Sequence, residues 1–294
     1  MINTAKPFVK WAGGKSQLLP VIRNKYPENI KKYCEPFVGG GAVLFDILEN
    51  FSPQEVLIND INTELINVYN QIKYNVNELL ILLNKYQKQY NSKNEDERLE
   101  IYLKNREKYN RLIFDTSDDK LLYKAALFIF LNKTCFNGLY RVNKDGYFNV
   151  PKGNYKNPII ADEANILRIN KLLQNVTIKS GDFEKTENFI DKNTFVYIDP
   201  PYRPLTSSAL FTSYTKEQFN DNDQVRLSMF IDRLNKKHAK IVLSNSDPKN
   251  SDKDDMFFDD LYKDYSIVRV NAKRMINSNA LKRGNITELL VANY

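Results

Sequence analysis

An open α/β sheet of the Rossmann-like kind is what this sequence predicts, and three stretches carry the prediction. The first is T-F-V-Y-I-D-P-P-Y at 194–202, five β-branched or aromatic residues running straight into Asp199-Pro200-Pro201-Tyr202. A buried strand must end at Asp199, because neither proline can donate to a sheet ladder. The second is Y-C-E-P-F-V-G-G-G-A at 33–42, a strand, a glycine turn and a helix start, the layout of a nucleotide-type cofactor site. The third is a strand over 55–58 that closes in Asn59-Asp60, an acidic residue about twenty positions past the glycine turn. In such sheets the carboxyl ends of the strands line the ligand crevice, and all three stretches place polar residues there.

Taken in order, the chain first shows F-V-K-W-A-G-G-K at 8–15, followed by an apolar periodic run to about Tyr26 that predicts a helix. Two glycines before a helix can offer amide donors to an anion, and Lys15 adds a point charge. The stretch is not a P-loop, since the spacer and the Ser/Thr of that motif are missing. Trp11, the only tryptophan, suits either a site or core filling. In the glycine turn, Glu35 faces charged or hydroxyl groups of a ligand, and Asp60 has the position of a bidentate acceptor for a ribose diol. Capping of the next helix is the plainer role for Asp60.

Residues 62–134 read as helices over 62–74, 77–90, 95–114 and 118–133, with no strand pattern: a helical insertion in the sheet. Asn-Gly at 137–138 and Asp-Gly at 145–146 then flank a short β-like run, predicting a protruding hairpin over about 135–150. It carries Arg141 and Lys144, with Lys152 close behind. A basic, aromatic hairpin suits the edges of nucleic-acid bases, where arginine can hold guanine through two bonds; a solvated hairpin needs no such partner.

After a helix at 162–174, the strand at 176–179 ends in Gly181-Asp182-Phe183, another carboxylate at a strand end. The loop 203–214, rich in Ser, Thr and aromatics, is placed to close over the site. A helix at 217–237 leads to a strand at 239–244 and a polar loop at 246–255. Strands at 266–271 and 286–292 flank a basic loop whose Lys273, Arg274, Lys282 and Arg283 suit phosphate contact. At the 199–202 corner two prolines fix φ twice, so a carboxylate, a carbonyl and an aromatic ring project from a stiff turn. A planar aminated ring fits there, its N–H groups donated to Asp199 and the Pro200 carbonyl and its face on Tyr202.

Composition bounds the rest. A chain of 294 residues, 42% hydrophobic and 12% aromatic, builds one large domain or two smaller ones. Lys plus Arg exceed Asp plus Glu by 43 to 36, a net +7 that suits a polyanionic partner. Cys34 and Cys135 are read as reduced thiols of a cytoplasmic protein with no secretory signal. With one histidine, His238, no metal site is expected, and no apolar run is long enough to span a membrane.

The set in this order resembles the Dam-type DNA adenine N6-methyltransferases, in which the cofactor motif precedes a recognition insertion and then the catalytic motif. F-V-K-W-A-G-G-K, E-P-F-V-G-G-G-A, Asn59-Asp60, G-D-F and D-P-P-Y carry the likeness from about Pro7 to Tyr294. Through F-N-G-L-Y-R-V-N and F-N-V-P-x-G-x-Y-x-N-P it is similar to the methylases of DpnII-type restriction systems.

What the resemblance implies is a catalytic and cofactor-binding unit from 1–61 and 160–294, interrupted by a DNA-recognition insertion at 62–159. It implies S-adenosylmethionine as cofactor, bound by Trp11, Lys15, Glu35, Phe37, Gly39, Asp60, Asp182, Phe183 and Asp199, and Asp199, Pro200 and Tyr202 as the catalytic corner. It places Lys10, Leu139, Arg141 and Pro151 at the bases of GATC in double-stranded DNA, with Phe136 and Asn137 at a hairpin tip entering the duplex. Where the family often has Tyr at that tip this chain has Phe136, keeping stacking and losing a hydroxyl. A restriction endonuclease is implied only as a genetic partner, in a bacterial or phage-infected cell. Competing readings are methylation of another amino nitrogen (cytosine N4 or an RNA base), an NAD(P) oxidoreductase lacking its G-x-G-x-x-G, and a non-catalytic DNA-binding homologue.

Overall fold

The structure is a computed structural model and describes residues 4–203, 219–273 and 285–294. Its centre is one seven-stranded sheet in the order β3-β2-β1-β4-β5-β7-β6. In chain order these are β1 (Lys32–Glu35), β2 (Glu55–Asp60), β3 (Val176–Ser180), β4 (Thr194–Ile198), β5 (Lys240–Ser246), β6 (Ser266–Lys273) and β7 (Asn285–Ala292). Neighbours among β1–β5 are parallel, and β7 runs antiparallel to both β5 and β6.

Successive residues of a strand point to opposite faces, and here both faces are covered. Phe195 and Tyr197 of β4 enter one apolar cluster, with Tyr33, Val56, Ile58 and Val242. Val196 and Ile198 enter the other, with Cys34, Leu57, Ile241 and Leu243. That double burial is why β4 reads as an unbroken apolar run, each such side chain contributing about 1.5–3 kcal/mol. It also sorts the polar strand ends. Glu35, Asp199 and Ser244 continue the first face at the carboxyl ends of β1, β4 and β5.

The order reverses direction between β1 and β4, since β2 and β3 extend one way from β1 and β4 begins the other half. A crevice therefore opens outside the carboxyl ends of those two strands. Between β2 and β3 the chain forms α3 (Thr63–Tyr74), α4 (Val76–Asn91), α5 (Glu95–Leu112), α6 (Asp118–Thr134) and α7 (Glu163–Leu173). They follow α1 (Leu19–Ile22) and α2 (Ala42–Asn50), and precede α8 (Asp221–Lys236) and α9 (Phe257–Leu261). Buried tyrosines of the inserted helices, Tyr86, Tyr90, Tyr102 and Tyr109, belong to the same apolar cluster as Phe195 and Tyr197 of the sheet. No described helix is long and apolar enough to cross a membrane.

Three expectations need correction. The helix expected up to Tyr26 is broken into a 3-10 turn at Lys15–Gln17, the four residues of α1 and a second 3-10 turn at Arg23–Lys25. Pro20 lacks an N–H, so it can open a helix but not continue one. The hairpin at 135–150 has no ladder, only the single antiparallel bridges Cys135↔Lys152 and Val142↔Phe148. A 3-10 turn at Phe136–Gly138, with Asn137 at φ 55° and Gly138 at φ 66°, bends the chain out of strand geometry. Lastly, β2 runs on to Asp60, because β3 pairs with it through Asp60↔Ser180. The loop at 204–214 and the cations Arg274, Lys282 and Arg283 lie outside the described residues, and Lys273 is described only as the last residue of β6.

Candidate active site

Asp199 stands one residue beyond β4, where two prolines stop the ladder. Lys15 Nζ lies 2.7 Å from Oδ1 and 2.8 Å from Oδ2, and also donates to the Gly13 carbonyl. The lysine is only 3% exposed, the aspartate 20%. The anion that the Lys15 charge meets in the folded chain is the Asp199 carboxylate. Ser244 Oγ donates to Oδ1 at 3.0 Å and lies 2.9 Å from the Tyr197 hydroxyl. Burial pushes the Asp199 pKa up, as does the charge of Glu288, while Lys15 and Ser244 oppose the rise.

Tyr202 is anchored from a direction the sequence does not show. Its hydroxyl donates to Glu288 Oε2 at 2.5 Å, and its ring centroid lies 4.6 Å from Lys15 Nζ. Glu288 belongs to β7, opposite Ser246 of β5. Because β7 is antiparallel, its beginning rather than its end reaches the carboxyl edge of the parallel strands. Burial, Asp199 and Glu288 push the Tyr202 hydroxyl well up, so it remains a donor.

Along the β1–β2 edge, Glu35 is 2% exposed and accepts the Tyr33 hydroxyl at 2.8 Å. Burial pushes its pKa well above the usual range, and the charges of Asp199 and Asp60 add to that. Asp60 accepts the Gly39 N–H at 3.0 Å on Oδ2 and the Asn62 N–H at 2.9 Å on Oδ1. The helix after β2 is capped instead by Asn62, which accepts from Leu65 N–H. Each Asp60 oxygen keeps a further acceptor site, so a diol is still within its capacity. Gly39 sits at φ 48° beneath Trp11; a Cβ there would lie 2.9 Å from the indole. Asn59, fully buried, donates to Pro36 O and Gly181 O and so pins the ends of β1 and β3 together.

Phe37 and Phe183 pack against each other with centroids 5.3 Å apart, and Phe183 is buried. Both oxygens of Asp182 are held by Arg226, at 3.0 and 2.9 Å, with the guanidinium 4.4 Å from the Phe183 centroid. Among the described residues no group of three or more His, Cys, Asp or Glu is arranged to hold a metal.

A second cluster gathers residues far apart in sequence. The Lys10 ammonium lies 3.1 Å from the Tyr155 hydroxyl and 4.4 Å from its ring centroid. The lysine stem packs on Gly138, where a Cβ would meet Lys10 Cδ at 2.5 Å. Phe136 is 51% exposed, Asn137 and Pro151 are exposed and Leu139 half-buried, while the Pro151 carbonyl accepts Phe136 N–H. Arg141 Nε donates to Asn149 Oδ1 at 2.8 Å. Lys152 is tied to Glu95 at 2.7 Å and is no open cation. Trp11 bridges this cluster to the glycine turn, stacking on Tyr140 and Phe128.

The sequence reading missed Ser244, Tyr197, Glu288 and Arg226. A signal existed for two of them: a serine ending an apolar strand, and a glutamate inside the terminal strand T-E-L-L-V-A.

Compared with known proteins, residues 11–276 match the family model described as D12 class N6 adenine-specific DNA methyltransferase. The chain is 50% identical over 295 residues to the Type II methyltransferase M.MjaIII of Methanocaldococcus jannaschii, covering 98% of this chain and 99% of that protein. It is 43% identical to the Type II methyltransferase M1.LlaDCHI of Lactococcus lactis subsp. cremoris, over 98% and 95%. To the DNA adenine methylase of Escherichia coli K12 it is 32% identical, over 97% and 94%.

Proposed function

The chain belongs to the D12 class of N6 adenine-specific DNA methyltransferases, and from that premise we propose how its residues divide the work. It transfers a methyl group from S-adenosylmethionine to N6 of an adenine flipped out of duplex DNA, in the sequence GATC. The observation that carries this reading is the Lys15–Asp199–Ser244 set beside Tyr202 at the crevice.

The donor set suits that cofactor. Glu35, Asp60 and Asp199 bring three carboxylates to one strand edge, with Lys15 tied to one of them. A cationic ligand bearing a ribose diol relieves their repulsion and uses the open acceptor sites of Asp60. Asp182, with Phe37 and Phe183, is suited to an adenine ring, and Trp11 holds the Gly39 turn. When bound, the cofactor supplies the electrophilic methyl.

The protein's part is positioning. The adenine N6 lone pair is delocalised into the ring and is a poor nucleophile. Asp199 and the Pro200 carbonyl accept its N–H groups and localise the pair, while Tyr202 stacks on the base face. Lys15 and Ser244 hold Asp199 in the ionised, oriented form that accepting requires, and Glu288 fixes the Tyr202 ring. As the N–C bond forms, the methyl–sulfonium bond of the bound cofactor would break to leave a neutral thioether, and the proton lost from N6 passes to Asp199 or to water. Fixed donors and acceptors of this kind need no reorganisation during the reaction.

On the DNA side, residues 62–159 are the recognition insertion. Lys10, Leu139, Arg141 and Pro151 face the bases, and Phe136 with Asn137 enters the duplex. Flipping costs a few kcal/mol, which pocket contacts offset.

The test is transfer of labelled methyl to paired duplexes, one with GATC and one with that site scrambled. Label confined to the first and recovered as N6-methyladenine is expected, and Asp199→Ala should lower kcat by on the order of 10³-fold. Equal labelling of both duplexes would discard the GATC assignment; wild-type turnover by Asp199→Ala would discard the catalytic one.

A further inference from the structure

Asn132 lies in the last turn of α6, is 2% exposed, and plays no part in the chemistry above. Its side chain joins two segments of chain that no strand pairing holds together. Oδ1 accepts the Lys10 N–H at 2.8 Å, and Nδ2 donates to the Lys10 carbonyl at 2.8 Å. The second Nδ2 proton goes to the Gly138 carbonyl at 2.9 Å. Both donors of the amide are thus spent on backbone, and its oxygen on a third backbone group.

The pairing with Lys10 imitates a rung of a β-ladder, supplied by a helix side chain. Lys10 and Gly138 lie 128 positions apart, yet the lysine stem rests on the glycine. Gly138 adopts φ 66° and is followed by Leu139 and Arg141. This amide is the hydrogen-bonded tie that fixes Lys10 relative to the 136–141 turn, beside the packing of the lysine stem on Gly138 and of Trp11 on Tyr140. An apolar side chain of any shape would leave two carbonyls and an N–H without these partners, and the two segments free to shift.

We propose that Asn132 is a positioning residue for sequence discrimination: it sets the register between Lys10 and the Gly138–Arg141 segment, so that both meet the same base pairs. This rests on the reading of Lys10, Leu139 and Arg141 as base-contacting residues. A small error in such a register weakens the correct bases more than the wrong ones, since the correct bonds depend on alignment. The effect belongs in the ratio of substrates, not in the rate alone.

The experiment measures kcat/KM on a GATC duplex and on duplexes with one base pair of the site changed, for wild type, Asn132→Ala, Lys10→Ala, Arg141→Ala and the Asn132→Ala/Lys10→Ala double variant. Equilibrium titration with S-adenosylmethionine reports whether each protein is folded at its cofactor site. Asn132→Ala should reduce discrimination about tenfold with cofactor affinity within about twofold of wild type. The double variant should lose less than the product of the two single losses, because both act through Lys10. If Asn132→Ala no longer binds cofactor, Asn132→Asp replaces it; it keeps the size and the acceptor but offers no donor to the two carbonyls, and the same loss of discrimination is expected. An equal fall in rate on every duplex, with the ratio intact, overturns the proposal. If Lys10→Ala and Arg141→Ala also leave the ratio intact, the reading of the recognition face fails and the proposal with it. If those two lower the ratio and the Asn132 variants do not, the proposal alone fails.

Discussion

Asp199 and Arg141 are the two polar side chains to which we assign contact with a base, and the molecule holds them by different means. Asp199 sits at the end of a central strand, and its partners come from the N-terminal turn (Lys15) and from β5 (Ser244), with Glu288 of β7 fixing its neighbour Tyr202. Sheet register places Ser244 and Glu288, and the N-terminal turn brings in Lys15. Arg141 lies in a segment with single bridges only, and helix side chains do the work of a ladder. Tyr102 donates to the Val150 carbonyl, Asn110 both donates to and accepts from the Phe148 backbone, and Asn132 secures Gly138. The lesson is that the proposed catalytic corner is held largely by buried charge, while the proposed recognition segment is held largely by side-chain bonds from helices to its backbone. The first arrangement is costly to break, and the second is easily retuned.

Breaking the ion pair gives the harshest test of that contrast. Lys15→Met leaves a largely buried carboxylate without its cation, and removal of one partner of such a pair costs on the order of 3 kcal/mol. Because Lys15 holds the Asp199 pKa down, its loss lets burial push that pKa further up. The acid limb of the kcat profile should therefore move to higher pH, together with a lower denaturation midpoint. A pH–rate profile and a denaturant titration check both, and an unmoved acid limb would detach Lys15 from catalysis.

Arg141→Ala probes the other region. Discrimination at one base pair should fall by about 1–3 kcal/mol, while denaturant stability stays within about 0.5 kcal/mol of wild type. Competition between GATC and singly altered duplexes measures the first quantity. A large stability loss would mean that this segment is as structural as the catalytic corner, and the contrast would collapse.

The smallest effect sharpens the electrostatic side. Glu35 has a raised pKa in the folded protein, chiefly from burial, with Asp199 and Asp60 adding to it. The stability it contributes is full below the ordinary glutamate range and is lost as pH rises toward the raised value. Glu35→Gln removes that loss. The variant should melt higher than wild type by roughly 2–5 °C at pH 8 and by much less at pH 5, while binding cofactor more weakly. Melting curves at the two pH values decide it, and a constant difference would show that the carboxylate charge is not the cause.

Much of this was legible in the sequence because it depends on local chemistry. A proline pair must stop a strand, so the corner at Asp199 was fixed by position alone, and the order of glycine turn, acidic strand end and D-P-P-Y specified both the fold class and the family. The apolar run of β4 implied burial on both faces. The hairpin is less extensive than expected because Asn-Gly and Asp-Gly report turns, not how far the strands between them pair; here pairing stops at single bridges, and helix side chains take the Phe148 and Val150 carbonyls. The partner of Lys15 was not legible, because a charged residue after two glycines looks the same whether it faces a ligand's anion or a buried aspartate. Tertiary structure alone decided which residues meet across long separations: Lys15 with Asp199, Glu288 with Tyr202, Asn132 with Lys10 and Gly138. Local rules set where β4 ends, at its proline pair. The pairing order of the sheet, and above all the reversed β7, sets which ends lie side by side, and no local pattern encodes that order.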